Sequence, residues 1–260
     1  MTIYLDIIRF NFLRFLAYPI EIWAAVIKRF LDTGFLIVFW SIIAKSSHGS
    51  ISLVPLISYF LLSGAINHII AGQTLRFGKY LGNTIKMGTI NTYLIRPLSI
   101  IPYLYSSSFG ERSLSIGLSI IMFIIGILIN PPSSVFSVVL FLVFLVLAAT
   151  ISFAFNLIVG IFSFYSPEAL NFAHVFESII KVLSGAIAPL TLFPANIKAF
   201  ALLSPFPGMV YTPIAALQST ELNAEVAQSL MVNSIWAIAL VIFALTWWNR
   251  AIRNYDAIGI

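Results

Sequence analysis

Cysteine is absent from the 260 residues, and only 9% of them are charged. Without cysteine the chain has no disulfide framework, no thiolate metal site and no cysteine nucleophile. The charged fraction is far below the roughly 25% that a soluble domain usually carries, whereas 60% of the residues are hydrophobic. A soluble fold of this size has no core large enough to bury so much apolar surface. The composition therefore predicts a membrane protein whose apolar surface faces lipid.

Motifs for phosphate binding and hydrolysis are also missing. Gly78 and Lys79 form the only Gly-Lys pair, and they lack the upstream glycine and the following Ser or Thr of a Walker A loop. No HExxH or GxSxG motif occurs, and the histidines are too far apart for paired zinc ligands: His48, His68 and His174. We expect no catalytic residue, metal site or cofactor site in this chain. The net charge of +5 is spread along the sequence, so nucleic acid is not an expected partner.

Six apolar stretches reach the length of about 20 residues that a membrane span needs. They lie near residues 22–44, 52–73, 113–130, 134–158, 170–188 and 229–249. In lipid each backbone amide must be bonded within its own segment, which favours helices. The predicted fold is one all-α membrane domain, residues 1–260, with six transmembrane helices.

Lysine and arginine are divided unevenly between the two sides of this predicted bundle. One side carries Lys45 and Lys198, and Lys181 falls inside a span. The side of the termini carries Arg9, Arg14, Lys28, Arg29, Arg76, Lys79, Lys86, Arg96, Arg112, Arg250 and Arg253. Because basic residues accumulate on the cytoplasmic side, both termini are predicted to be cytoplasmic.

The N-terminal residues 1–18 are too charged and too short to form a span. Polar Asp6, Arg9, Asn11 and Arg14 interrupt the apolar residues at roughly helical intervals. This pattern predicts a helix that lies in the cytoplasmic interface. A ragged extension of the first span is the alternative. No small-residue cleavage site of a signal peptide follows.

Residues 76–112 form a long, basic segment between two predicted spans, on the cytoplasmic side. Gly78, Gly82 and Gly88 punctuate it, and a short helix is expected between Gly82 and Asn91. An exposed helix there suits docking to another protein. An ordinary basic loop that fixes the topology is the alternative.

Residues 184–213, here called the gate segment, are apolar but rich in proline. The prolines prevent one continuous helix: Pro189, Pro194, Pro205, Pro207 and Pro213. We expect short helices that dip back into the membrane from the outer side and gate an opening, since irregular backbone at that depth must be buried in protein or line a cavity. A loop lying flat in the interface is the alternative.

Charged side chains within the spans form two clusters. Glu177 and Lys181 are four residues apart in the order that favours a helical ion pair. They either line a substrate path or neutralise each other in the bundle. Lys28 and Asp32 have the same spacing on the first span and, with Arg29, mark its cytoplasmic edge.

Several of these stretches together resemble the permease subunits of ABC-2-type transporters, in a subgroup of short six-span chains. The N-terminal interfacial helix is typical of that subgroup. Residues 85–98 (IKMGTINTYLIRPL), 183–213 and 253–259 (RNYDAIG) are similar to its cytoplasmic signature, its outer re-entrant region and its tail. The resemblance covers essentially the whole chain.

The resemblance implies a coupling helix seated in a separate ATPase subunit and an outer gate. The coupling helix would comprise Gly82, Asn83, Thr84, Ile85, Lys86, Met87, Gly88, Thr89 and Ile90. The gate would include Ser184, Gly185, Pro189, Phe193, Pro194, Pro205 and Phe206. ATP and Mg would bind the partner subunit, and a second permease, identical or different, would complete the path.

The resemblance further implies export of a drug, lipid or glycan through a bacterial inner membrane by alternating access. The apolar spans favour a hydrophobic or amphipathic cargo. An ion-coupled secondary transporter is one alternative, for which only Asp32 and Glu177 are candidate carboxylates. A non-transporting membrane scaffold is the other.

Overall fold

The computed structural model describes residues 2–46, 52–71, 76–95, 97–166 and 168–255. These residues form α-helices and shorter helical turns, with no β-strand among them. The α-helices are α1 (Thr2–Leu16), α2 (Pro19–Ser46), α3 (Leu53–Ile66), α4 (Arg76–Lys86), α5 (Ile90–Leu94), α6 (Ile100–Glu111), α7 (Ser113–Ile129), α8 (Val135–Phe162), α9 (Ala169–Leu183), α10 (Ala195–Leu203), α11 (Tyr211–Ala216) and α12 (Ala224–Arg253). A π-helical turn, Asn67–Ala71, continues α3, and 3-10 turns occur at Leu190–Leu192 and Pro207–Met209.

Three helical stretches in the described part of the chain are long and apolar enough to cross a membrane individually. They are Leu53–Ile70, Val135–Phe162 and Ala224–Arg253. A fourth candidate is the pair α6 and α7, which is bent by 64°. The all-helical membrane fold predicted from the sequence is confirmed at this level. The count of six spans and the side on which the termini lie stay predictions.

Two of the six predicted spans, α2 and α9, are not both long enough and apolar enough to cross a membrane by this test. Helix α2 is long enough at 28 residues, but it carries several charges, including Lys28, Arg29 and Asp32. Helix α9 has 15 residues, which rise only about 22 Å against a hydrocarbon core of about 30 Å. The expected end of this span at residue 188 is wrong, since α9 stops at Leu183 and Gly185 adopts a positive φ of 82°.

Helix α8 is the centre of the bundle and packs against α12, α4 and α11. Its start is fixed by a capping box, in which Ser134 and Ser137 each accept a hydrogen bond from the other's backbone amide. Along α8, Phe144, Ala148 and Ile151 are buried. This helix therefore connects the part of the core near α11 with the part near α4.

The segment 76–112 contains more helix than the one short helix expected there. It contains α4, α5 and α6, and α6 was not predicted. Helix α6 packs against α1 so closely that a Cβ on Gly110 would lie 2.5 Å from the carbonyl oxygen of Ile8. Arg14 and Glu111 form an ion pair across the same contact. The N-terminal residues are thus helical as predicted, and their position in the membrane interface stays a prediction.

Candidate coupling surface and gate segment

Helix α4 has one buried face and one exposed face. Phe77, Leu81 and Ile85 are buried at helical spacing and pack into the core formed with α6, α8 and α12. Asn83 and Lys86 are exposed. A helix with this division lies on the surface of the bundle, with one side free to contact another protein.

A tight turn follows α4 and presents its side chains outward. Gly88 has a φ of 68°, a conformation that suits glycine. The Thr89 hydroxyl donates to the carbonyl of Thr84 at 3.1 Å, which holds the turn against α4. The single helix expected over residues 82–91 is therefore wrong: α4 ends at Lys86 and α5 begins at Ile90. Met87, at the tip, is 75% exposed.

Helix α5 is held to the helices on both sides of it by tyrosines. Tyr80 of α4 is partly buried beside Tyr93 of α5, and burial together with this neighbour raises the pKa of the Tyr80 phenol to about 12. The rings of Tyr93 and Tyr103 lie 5.3 Å apart. Beyond these contacts, Ile95 is 84% exposed. Exposed apolar side chains thus occur on both sides of Gly88, at Met87 and at Ile95.

Gly78 brings the backbone of α4 into direct contact with α8. Its amide donates to the Asn156 side-chain oxygen at 2.9 Å, and Asn156 in turn donates to the carbonyl of Ser152 at 3.0 Å. A Cβ on Gly78 would lie 2.5 Å from the Asn156 carbonyl oxygen. Only glycine allows this approach without a shift of one helix.

Helix α4 is joined to α9 by a charged bridge. The Lys79 ammonium lies 2.8 Å from one carboxylate oxygen of Glu177, and the Lys181 ammonium lies 3.1 Å from the other. Glu177 and Lys181 form the ion pair that their spacing predicts, and its position inside the membrane stays a prediction. Lys79 is a further partner that the sequence alone did not indicate. Because the Glu177 carboxylate bonds Lys79, it connects α9 to α4.

The C-terminal end of α9 runs directly into the gate segment. Ser184 and Gly185 directly follow Leu183, and both are buried. Glu177 is seven residues before Ser184, which corresponds to about 10 Å along a helix. A movement of α9 would therefore displace the start of the gate segment.

Hydrogen bonds from α2 and α3 hold the turn at the start of the gate segment. The Tyr59 hydroxyl donates to the Gly185 carbonyl at 2.7 Å, and the Trp40 indole donates to the Ile187 carbonyl at 2.9 Å. A Cβ on Gly185 would lie 2.8 Å from the Tyr59 oxygen. This turn therefore has no room for a Cβ atom at residue 185.

The C-terminal half of the gate segment is fastened to α12. The Trp236 indole donates to the Leu203 carbonyl at 2.9 Å. A Cβ on Gly208 would lie 2.4 Å from the Asn233 side-chain oxygen, so the backbone there touches α12 directly. The ring of Phe206 packs 5.6 Å from that of Phe155 on α8.

The predicted gate residues share one compact region but differ in burial. The buried members are Ser184, Gly185, Pro189 and Pro205; Phe193 and Phe206 are partly buried, and Pro194 is exposed before α10. The expected short helices are present as α10, α11 and two 3-10 turns. Their depth in the membrane stays a prediction.

A small cavity of about 270 Å³ lies between the gate segment and the start of α12. Thr191, Tyr211 and Asn223 line it, together with Lys198 and Glu225, which approach each other to 3.5 Å. Its lining is polar enough to hold water.

The charged cluster on α2 differs from the prediction. Lys28 and Asp32 do not form an ion pair in the described part of the chain, whose four ion pairs all lie elsewhere. Arg29 is buried rather than at an exposed edge, and it bonds the Ser119 hydroxyl and the Ser115 carbonyl of α7. Nothing in the spacing of the α2 residues indicates that α7 covers Arg29.

These contacts define an all-helical membrane protein with one anchored surface helix and a broken, proline-rich segment. A family model described as ABC-2 family transporter protein matches residues 37–259 of the chain. The chain therefore belongs to this family of membrane transport components. No curated protein matches it.

Proposed function

We propose that this chain is the permease subunit of an ATP-binding-cassette exporter whose ATP hydrolysis takes place on a separate subunit. The observation that carries the proposal is the Lys79–Glu177 bridge. It joins a surface helix that has an exposed tip to the helix that leads into the gate segment. A force applied at the surface has a direct route to the gate through α9.

The seat of the ATPase in this proposal is the turn at residues 86–89, here called the coupling turn. Met87 is exposed at its tip, and the adaptable methionine side chain suits a protein contact. Lys86 adds a positive charge beside it. The buried residues of α4 are then the base that keeps the turn in place, and do not contact the partner.

A second permease, of the same or another sequence, completes the translocation path in this proposal. Helices α2 and α9 expose large apolar side chains, among them Phe35 and Phe39 on α2 and Phe172 and Phe176 on α9. Lipid covers part of such surface, and a second permease covers the rest. The cargo is hydrophobic or amphipathic, because the exposed aromatic side chains of these helices offer contacts to apolar groups.

The mechanism that follows is alternating access driven from the inner side of the plasma membrane. ATP and Mg bind the ATPase pair, and closure of that pair moves the coupling turns. Helix α4 transmits the movement to α8 through the Gly78–Asn156 contact and to α9 through Glu177. The turn at Gly185 then leaves Tyr59, and the gate segment opens.

Co-purification tests the proposal. The chain is expressed together with its neighbouring genes, purified in mild detergent, and assayed for a bound ATPase subunit and for ATP hydrolysis. We expect a stable complex for the natural chain and its loss in a variant with Lys86→Ala and Met87→Ser. Met231→Ser changes another exposed methionine, on α12, and is the matched control.

Two outcomes contradict the proposal. A natural chain that purifies without any ATPase, from cells that contain one, removes the basis for ATP coupling. Equal loss of the complex in the α12 control and in the coupling-turn variant removes the assignment of the seat.

A further inference from the structure

Within the described part of the chain, two arginines are buried without a carboxylate at ion-pair distance. Arg29 on α2 is 6% exposed, and Arg112, between α6 and α7, is 4% exposed. Neither takes part in the four ion pairs among the described residues. Burying a cation is costly unless an anion or a full set of hydrogen bonds compensates it. These two positions are therefore candidates for binding an anion that the chain does not supply.

The hydrogen bonds of these arginines leave donors free. Arg29 donates to the Ser119 hydroxyl and, at 3.3 Å, to the Ser115 carbonyl, both of them neutral acceptors. Arg112 donates through Nη2 to the His68 carbonyl. Its Nη1 is fully buried and has no hydrogen-bond partner within the described ranges. A guanidinium carries five N–H donors, and the unpartnered Nη1 of Arg112 is available for an oxyanion.

The surrounding positive charges converge on the π-helical turn at the end of α3. Lys28, Arg29, Arg112 and Lys181 all act electrostatically on the His68 ring, and Arg29 and Arg112 act on each other. Three separate parts of the fold, α2, the junction of α6 with α7, and α9, therefore place cations around this turn. Turns of this π-helical kind are frequent at functional sites.

The nearby carboxylates do not neutralise this cluster. Glu177 is already bonded to Lys79 and Lys181. Asp32 acts on Arg29 without reaching ion-pair distance. The cluster keeps an excess of positive charge.

We propose that Arg112 and Arg29 bind the oxyanion headgroup, phosphate or carboxylate, of an amphipathic substrate. The planar guanidinium matches such headgroups through paired N–H donors. The proposal rests on the proposed export function and names its substrate class, but the binding it describes requires no ATPase.

Binding to the purified full-length chain in a neutral detergent tests the proposal. The probes are dioctanoyl phosphatidic acid, dioctanoyl phosphatidylcholine and inorganic phosphate, followed by calorimetry and by the thermal unfolding midpoint. We expect saturable binding of phosphatidic acid that raises the midpoint, with little binding of phosphatidylcholine. Arg112→Gln and Arg29→Gln should each weaken phosphatidic acid binding about tenfold or more. Arg250→Gln, an exposed arginine on α12, should leave it unchanged.

Inorganic phosphate distinguishes the two sources of the anion. Displacement of the lipid by phosphate assigns the site to the anion alone. Retention of the lipid, with the arginine dependence intact, assigns it to the whole amphiphile.

The proposal is overturned if the natural chain binds both lipids equally, or if Arg250→Gln weakens binding as much as Arg112→Gln. If Arg112→Gln does not fold, the two-lipid comparison and Arg29→Gln decide the matter. A failed co-purification with an ATPase would remove the proposed export function but leave this binding result unchanged, so the two failures are distinguishable.

Discussion

The ammonium of Lys79 on α4 lies 2.8 Å from the carboxylate of Glu177 on α9, although 98 residues separate them in the chain. The second carboxylate oxygen of Glu177 faces Lys181, at 3.1 Å. This contact is the most direct link between the coupling turn and the gate segment. Removing this ion pair tests coupling with little effect on stability, because a partly exposed ion pair contributes only about 0.2–1 kcal/mol to the free energy of folding.

Glu177→Gln is expected to keep the complex with the ATPase but to reduce transport per ATP hydrolysed. The carboxamide no longer attracts the two lysines, so α4 moves without carrying α9. The measurement is ATP hydrolysis and gate opening in reconstituted vesicles. Glu225→Gln, which breaks the Lys198 pair, is the matched control. If Glu177→Gln transports as much substrate per ATP hydrolysed as the natural chain, the bridge has no role in coupling. If the natural chain instead shows a proton-driven flux that needs no ATP, and Glu177→Gln abolishes it, the chain is a secondary carrier.

Gly78→Ala is expected to destabilise the contact between α4 and α8. The added Cβ would lie 2.5 Å from the Asn156 carbonyl oxygen, and overpacking of this kind costs about 1–3 kcal/mol. We expect a lower thermal unfolding midpoint and weaker ATPase binding. Gly117→Ala on α7 is the control, since nothing lies within 4 Å of its Cβ. Equal midpoints for the two variants would show that α4 can move away without penalty.

Tyr59→Phe is expected to loosen the gate segment without affecting the coupling turn. It removes the hydroxyl that donates to the Gly185 carbonyl, and an unpaired buried carbonyl costs about 1–3 kcal/mol. Gly185→Ala should have a larger effect, since φ at this residue is 82° and its Cβ would meet the Tyr59 oxygen. The measurement is the leak of a small dye from vesicles without ATP.

Tyr18→Phe removes an exposed hydroxyl and is the control for the Tyr59 variant. A leak that stays at the natural level in both Tyr59→Phe and Gly185→Ala would rule out a gating role for this turn.

Cysteine labelling can determine the orientation of the chain in the membrane. Because the natural chain has no cysteine, single Met87→Cys and Asn196→Cys variants each carry one reactive site, and both positions are exposed. The distribution of basic residues predicts that Met87 faces the cytoplasm. An impermeant maleimide should therefore label Asn196→Cys in intact cells and Met87→Cys only after permeabilisation. The reverse labelling pattern would show that Met87 faces outward, which contradicts the predicted topology.

The burial of Arg29 and Arg112 is the main feature that the sequence did not predict. Arg29 and Arg112 were counted as marks of the cytoplasmic side, as exposed basic residues usually are. The folded chain covers both, because α7 packs over α2 and the π turn lies against the start of α7. The sequence around Arg29 contains no local signal for this burial, because the α7 residues that contact Arg29 are 86 and 90 residues further along the chain.

Local composition by itself determined the helical membrane character, the broken gate segment and the Glu177–Lys181 pair. Each depends on neighbours within a few residues: apolar runs of span length, prolines that interrupt a helix, and charges four residues apart. The tertiary structure decided the rest. It placed Lys79 against Glu177, Gly78 against Asn156 and Tyr59 against Gly185. Among the described residues, it left the Nη1 of Arg112 buried without a hydrogen-bond partner. These contacts join residues far apart in the chain, and only the packing of whole helices determines which of them meet.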